Sequence, residues 1–164
     1  MQKKLEQFST LFNFYPAYKV LDVTTHTDEI SQYIFDKLFE VQGRLALVKF
    51  PGSHQELHGE TDLTLQEIED FETPFRALPR DNDIVMIRDV VQNYAQLDSL
   101  LMMAYRTLAN AGELIILTSK DSLMSETIYE AIDKADFRAV NTIELFDDYE
   151  LIMAKKMHMW GNGL

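Results

Sequence analysis

The chain has 164 residues, 46% of them hydrophobic, which suits one domain with one core. Asp and Glu number 27 against 15 Lys and Arg, and the net charge of -12 argues against polyanionic partners, so neither nucleic acid nor an anionic membrane is expected. There is no cysteine, which excludes disulfides, thiolate nucleophiles and thiolate metal sites.

Residues 3–11 predict a short amphipathic helix with Leu5, Phe8 and Leu11 on one face. No long apolar run follows the opening lysines, so no signal peptide is expected. No apolar run approaches the ~20 residues of a membrane span, and a cytoplasmic location is the expectation. Residues 12–16, Phe-Asn-Phe-Tyr-Pro, are apolar and precede the first strand, where they predict a cap over a ligand crevice or a subunit contact.

Residues 19–23 form an apolar run that predicts a buried strand. Ile30, Ile34, Leu38 and Val41 recur at helical spacing, with Thr25 or Thr27 as cap, Asp28 and Glu29 in the first turn and Gly43 as stop signal. Residues 44–50 predict a second strand ended by Pro51 and Gly52. Residues 62–71 predict a helix, and residues 75–78 a weak strand confined by Pro74 and Pro79. A better strand covers 83–87. Leu97, Leu100, Leu101, Ala104 and Leu108 mark a helix that Gly112 ends, and 113–118 is again a buried strand. Ser122 or Ser125 can cap a helix with Ile128, Ala131, Ile132 and Ala135 inward. Residues 138–146 and 149–157 then read as an antiparallel hairpin.

Strand and helix thus alternate before the closing hairpin. The expected fold class is α/β: one doubly wound, mostly parallel sheet with a C-terminal antiparallel hairpin, in a single domain over 1–164 with 1–17 as an N-terminal helix and cap. Ligands in such sheets bind past the carboxyl ends of the strands, near the switch in strand order, so the segment after Val23 is the expected site.

Three stretches carry a family resemblance. Residues 78–85, Leu-Pro-Arg-Asp-Asn-Asp-Ile-Val, resemble a Leu-Pro turn and an Asp opening a fourth strand. Residues 105–116 are similar to a helix end, a Gly-Gly turn with Ala111 as its first member, and a fifth strand. Phe137 and residues 151–156 fit a closing hairpin. On these residues the chain, over 18–158, resembles the class I S-adenosylmethionine-dependent methyltransferases. The resemblance implies a Rossmann-like methyltransferase fold, S-adenosylmethionine as a possible cofactor and no metal.

It also implies a cofactor site. Asp22 matches the family's acid after the first strand, and the three positions where the family carries glycine fall on Thr24, His26 and Asp28. Glycine serves there by reaching positive φ and by letting a ligand touch the backbone, whereas Thr is β-branched and stiff. Asp28 brings a carboxylate to the helix amides that a methionine carboxylate needs. The second strand ends in Lys49-Phe50-Pro51, without the family's ribose-binding acid; Asp70 or Glu72 matches a third, adenine-side acid loosely.

The candidate cofactor residues are therefore Asp22, Thr24, His26, Asp28 and Asp89, and the candidate catalytic residue is Asp89. Each has a plainer alternative: Asp22 as an acid ordering the loop, His26 as a solvated residue, and Asp89 as the partner of Arg88 or a helix cap. Asn93 and Tyr94 follow where substrate would lie. His54 and His58 have metal-ligand spacing only if helical, and Pro51, Gly52 and Gly59 bracket them. Packing explains His158.

The expected function is a methyltransferase-fold protein with a degenerate cofactor site, acting as a non-catalytic binding or accessory protein. The alternative is an active methyltransferase holding S-adenosylmethionine in a non-standard way and modifying a small molecule or protein. A protein partner or small molecule is expected in either case, and a homo-oligomer is compatible with both.

Overall fold

The computed structural model describes residues 1–120 and 125–157. Ser122 and His158 lie outside them. In chain order the elements are α1 (Gln2–Ser9), β1 (Lys19–Thr27), α2 (Glu29–Glu40), β2 (Arg44–His54), β3 (Asp62–Glu67), β4 (Asn82–Arg88), α3 (Leu97–Thr107), β5 (Leu108–Ser119), α4 (Ser125–Lys134), β6 (Arg138–Ile143) and β7 (Tyr149–Lys155).

The strands form one sheet in the order β3-β2-β1-β4-β5-β7-β6. The pairs from β3 through β5 are parallel, and β7 runs antiparallel to both β5 and β6. This is the expected doubly wound sheet with its closing hairpin. The chain builds outward from β1 to β3, then returns to β4 and builds the other way. The switch point therefore lies between β1 and β4.

Each face of the sheet is covered because side chains alternate along a strand. Leu21, Val23, Val85 and Ile87 join the core under α3 and α4. Val20, Ile84 and Met86 join the core under α1 and α2, with Ile30, Ile34 and Leu38 from α2. The same period puts Asp22 and Arg88 on the α2 face, which carries their charge into the core.

Several elements differ from the sequence reading. Residues 62–71 do not form a helix: β3 occupies Asp62–Glu67. Leu63 and Leu65 alternate with polar residues, and the free edge of β2 takes up this period of two through the pairs Leu45 with Leu63 and Leu47 with Leu65. No strand forms at 75–78. The Gln66 side chain instead pins that segment through Arg76, with Arg76 N donating to Gln66 Oε1 at 2.9 Å. The helix stop at residue 43 works differently too. Gln42 takes the left-handed conformation at φ 55, while Gly43 is needed because a Cβ there would lie 2.4 Å from the carbonyl oxygen of Tyr18. Nor does Gly112 end α3, since Leu108 already pairs with Asn82 as the start of β5.

Residues 12–16 do not cap the carboxyl-end crevice. Phe12 packs with Phe8 on the α2 face, and the Tyr15 hydroxyl donates to Asp83 beside the amino-terminal end of β4. No helix among the described residues is long and apolar enough to cross a membrane.

Candidate functional site

The expected ligand loop after Val23 is strand. β1 continues to Thr27, and β2 runs through Pro51 and Gly52 to His54, so both are longer than expected. Pairing resumes with His26 beside Ser53 and Thr27 beside His54, after an irregularity in register that accommodates the proline. The one glycine this arrangement demands is Gly52. A Cβ on it would lie 1.7 Å from the carbonyl oxygen of Thr25.

Arg88, the last residue of β4, fills the switch point. Among the described residues it is the largest side chain that is fully buried. Its Nη1 donates to Asp28 Oδ1 at 2.9 Å, and its Nη2 donates to the His26 carbonyl at 2.9 Å and to Ser31 Oγ at 2.6 Å. Asp22 Oδ2 lies 3.7 Å from Nη2 and accepts from Ser31 Oγ at 3.4 Å. Among the described residues Asp22 Oδ1 and Arg88 Nε have no hydrogen-bond partner, so the network is not saturated there. Burial pushes the Asp22 carboxyl up, against the pull of the guanidinium. Burial likewise opposes the Arg88 charge, and Asp22 and Asp28 together more than offset it.

Asp28 is the N-cap of α2, the place assigned from sequence to Thr25 or Thr27. Its Oδ1 accepts from the amides of Ile30 at 3.0 Å and Ser31 at 3.4 Å, and Ser31 Oγ accepts from the Asp28 amide. This reciprocal cap satisfies helix amides that would otherwise be free for an anion.

A second, partly exposed cluster borders the first. His26 Nε2 is 2.8 Å from the Tyr149 hydroxyl, and Nδ1 is 3.1 Å from Thr25 Oγ1. Its Nδ1 lies 3.9 Å from Asp89 Oδ2. Burial, then the charge of Arg88, lowers the imidazole below its ordinary 6.5 and favours the neutral ring. Burial, then the Asp89 charge, pushes the Tyr149 phenol up to about 12. Such a phenol donates hydrogen bonds at neutral pH and gives up its proton poorly.

Asp89 is not the partner of Arg88. Its backbone turns at φ 56, and its Oδ1 accepts from Ser119 N at 3.0 Å, Ser119 Oγ at 2.8 Å and Gln92 Nε2 at 2.7 Å. The carboxylate joins the loop after β4 to the end of β5. Asn93 donates to the Asp89 carbonyl, and Tyr94 packs edge-on to Phe50 in the core.

The remaining candidates are drawn apart. Thr24 is buried, and its hydroxyl is spent on His26, donating to the carbonyl at 2.6 Å and accepting from the amide at 3.1 Å. Asp70 Oδ1 accepts from the amides of Glu72 and Thr73 and orders its own turn. His54 lies in β2, with Nδ1 2.9 Å from Thr27 Oγ1 and Nε2 2.7 Å from the Phe50 carbonyl, so both ring nitrogens are engaged. Among the described residues no group of three or more His, Asp and Glu is placed to hold a metal.

As the side chains stand, these residues do not fit S-adenosylmethionine in the way the resemblance implies. The matching acid is paired with Arg88, the helix amides are capped by Asp28, and Phe50 within β2 stacks against Phe71 at 5.5 Å. Sequence reasoning noted Arg88 only as a local partner of Asp89 and missed Ser31 and Tyr149. The available signal was a charge ending the apolar run 84–87 in phase with Ile84 and Met86.

No protein-family model matches the chain, and no curated protein matches it in sequence. Solved structures match in fold. An S-adenosylmethionine-dependent methyltransferase from Aquifex aeolicus superposes with a TM-score of 0.72 at 14% identity, over 93% of this chain and 89% of that one. Phosphoethanolamine N-methyltransferase 2 of Haemonchus contortus, in complex with S-adenosylmethionine, gives 0.69 at 13% identity over 96% of this chain, which spans about half (53%) of that one. The methyltransferase component of a complex with the Haloferax volcanii Trm112 methyltransferase activator gives 0.69 at 12% identity, over 96% of this chain and 88% of that one. At such identities the shared property is the fold.

Proposed function

Proceeding from a class I methyltransferase fold, we propose that this chain does not hold S-adenosylmethionine and works as a non-catalytic binding or accessory protein. The observation that carries this reading is Arg88. A fully buried guanidinium occupies the switch point and is bonded to Asp28, Ser31 and the His26 carbonyl. Admitting a cofactor there requires expelling that charge and leaving Asp22 and Asp28 without their partner, a change worth several kcal/mol.

The fold neighbour that assembles with an activator is a precedent for a protein partner. The competing reading, an active methyltransferase with non-standard cofactor binding, draws on the fold neighbour solved with S-adenosylmethionine.

Calorimetric titration of the folded chain with S-adenosylmethionine and S-adenosylhomocysteine separates the two. No binding is expected at about millimolar ligand, and a Kd of about micromolar overturns the proposal. Purification of the tagged chain from its native cell is expected to recover a stable partner. A lone monomer removes the accessory role.

A further inference from the structure

The amino-terminal end of the parallel strands, opposite Arg88, carries a different kind of charge. Only 15 residues of this acidic chain are Lys or Arg. Four of them, Arg80, Arg106, Lys134 and Lys156, line one cavity of about 320 Å³ with Tyr105 and Met102 as apolar wall. Among the described residues the sole acid in the lining is Asp136, which lies 3.5 Å from Arg138.

The fold brings these cations together from four separate segments of the chain. Arg80 precedes β4 in a left-handed turn at φ 54, and its amide donates to the Arg106 carbonyl at 3.0 Å, which ties the two arginines together. Lys134 ends α4 and pairs with Asp98 at 3.1 Å on the open surface. Among the described residues no carboxylate lies within 4.0 Å of the Arg80 or Arg106 guanidinium.

Lys156 is held most firmly. It is 7% exposed, and its Nζ donates to the Tyr105 carbonyl at 2.9 Å and the Leu108 carbonyl at 2.7 Å. Nζ also lies 4.7 Å from the centre of the Tyr105 ring. Burial, then the charge of Arg80, lowers its pKa, so the cations here feel one another. The carboxyl ends of α3 and α4 converge here, and their dipoles offset part of that repulsion.

We infer that this cavity binds a small molecule bearing a phosphate monoester, with the dianion held by Arg80, Arg106 and Lys134 beside Lys156 and the carbon body against Tyr105 and Met102. Two guanidinium forks and an ammonium match three phosphate oxygens better than the two of a carboxylate. The volume is that of a small-ligand pocket. A polymer of phosphates would extend past the cavity into the field of a protein charged -12, whereas a small anion stays within about one Debye length of the cations. The inference holds whether or not the opposite end of the sheet takes a cofactor.

The test is an NMR titration of the full chain with phenyl phosphate, run beside phenol and inorganic phosphate. Phenyl phosphate is expected to give saturable shifts at the amides of Arg80, Arg106 and Lys156. Phenol should give none, and inorganic phosphate should bind the same amides more weakly. The R80Q/R106Q variant keeps the backbone bond between the two residues and should weaken phenyl phosphate by about tenfold or more. K134Q gives an independent loss should that variant not fold. The proposal is overturned if phenyl phosphate does not saturate by about 10 mM, if phenol binds equally well, or if folded variants bind as the parent does.

Discussion

Arg88 Nη1 lies 2.9 Å from the Asp28 Oδ1 that also receives the amides of Ile30 and Ser31. One carboxylate oxygen therefore ties the end of β4 to the start of α2, across the switch point of the sheet. The methyltransferase-like fold is kept, and charges from three segments of the chain meet at its switch point.

Removal of Arg88 tests that link. R88A leaves Asp22 fully buried without its cation, and a broken buried pair costs about 3–5 kcal/mol. Replacing both members with apolar residues, as in R88M/D22L, should recover most of that loss. Urea unfolding measures both. A cost under about 1 kcal/mol for R88A shows that the network contributes little.

Asp28 has two roles that substitution can separate. D28N keeps an N-cap oxygen and loses the charge facing Arg88, whereas D28A loses both. The cap alone is worth about 1 kcal/mol, so D28A should be the less stable by about that amount. Equal stabilities mean that the cap seen at Ile30 and Ser31 contributes nothing.

The state of His26 sets a pH dependence. Its folded pKa is lowered from 6.5 by burial and then by Arg88, so the unfolded chain takes up the proton first as pH falls. Its contribution is fully present above pH 6.5 and is lost as pH drops toward the lowered value. Asp22, raised by burial, acts in the opposite sense: the folded state keeps that proton longer, and the contribution fades as pH rises past 3.8 and through the folded value. H26N should flatten the stability profile just below pH 6.5 without altering the Asp22 limb. An imidazole NMR titration with its midpoint at or above 6.5 contradicts the neutral ring.

Gly52 controls the strand extension after Val23. In G52A the new Cβ meets the Thr25 carbonyl at 1.7 Å, so the backbone must part. The expected cost is about 1–3 kcal/mol or more, with faster hydrogen exchange at the Gln55 amide, which donates to Thr27. Unchanged protection of Gln55 refutes this account of the glycine.

The buried strands and the amphipathic helices were legible in the sequence because their periods are local. Val20 and Leu21 in β1 and Leu100 and Ala104 in α3 announce their faces without knowledge of any partner. The segment 62–67 was not legible: Leu63, Leu65 and Ile68 satisfy a strand or a helix, and only the open edge of β2 chose between them. Asp22, Thr24, His26 and Asp28 could be picked out by spacing. That Thr24 and His26 continue a strand depended on Ser53 and His54 arriving beside them.

By itself, the sequence determined most of the strands and amphipathic helices, the doubly wound sheet and the absence of glycine from residues 24–28, since each follows from neighbouring residues. Tertiary structure alone decided where the charges meet. Arg88 reaches Asp28 and Asp22 across 60 and more positions, and Arg80, Arg106, Lys134 and Lys156 converge from four separate segments without any basic run to announce them. The reason is physical: hydrophobic period is a property of one segment, whereas Coulomb interaction depends on distance and burial, which exist only once the sheet has assembled.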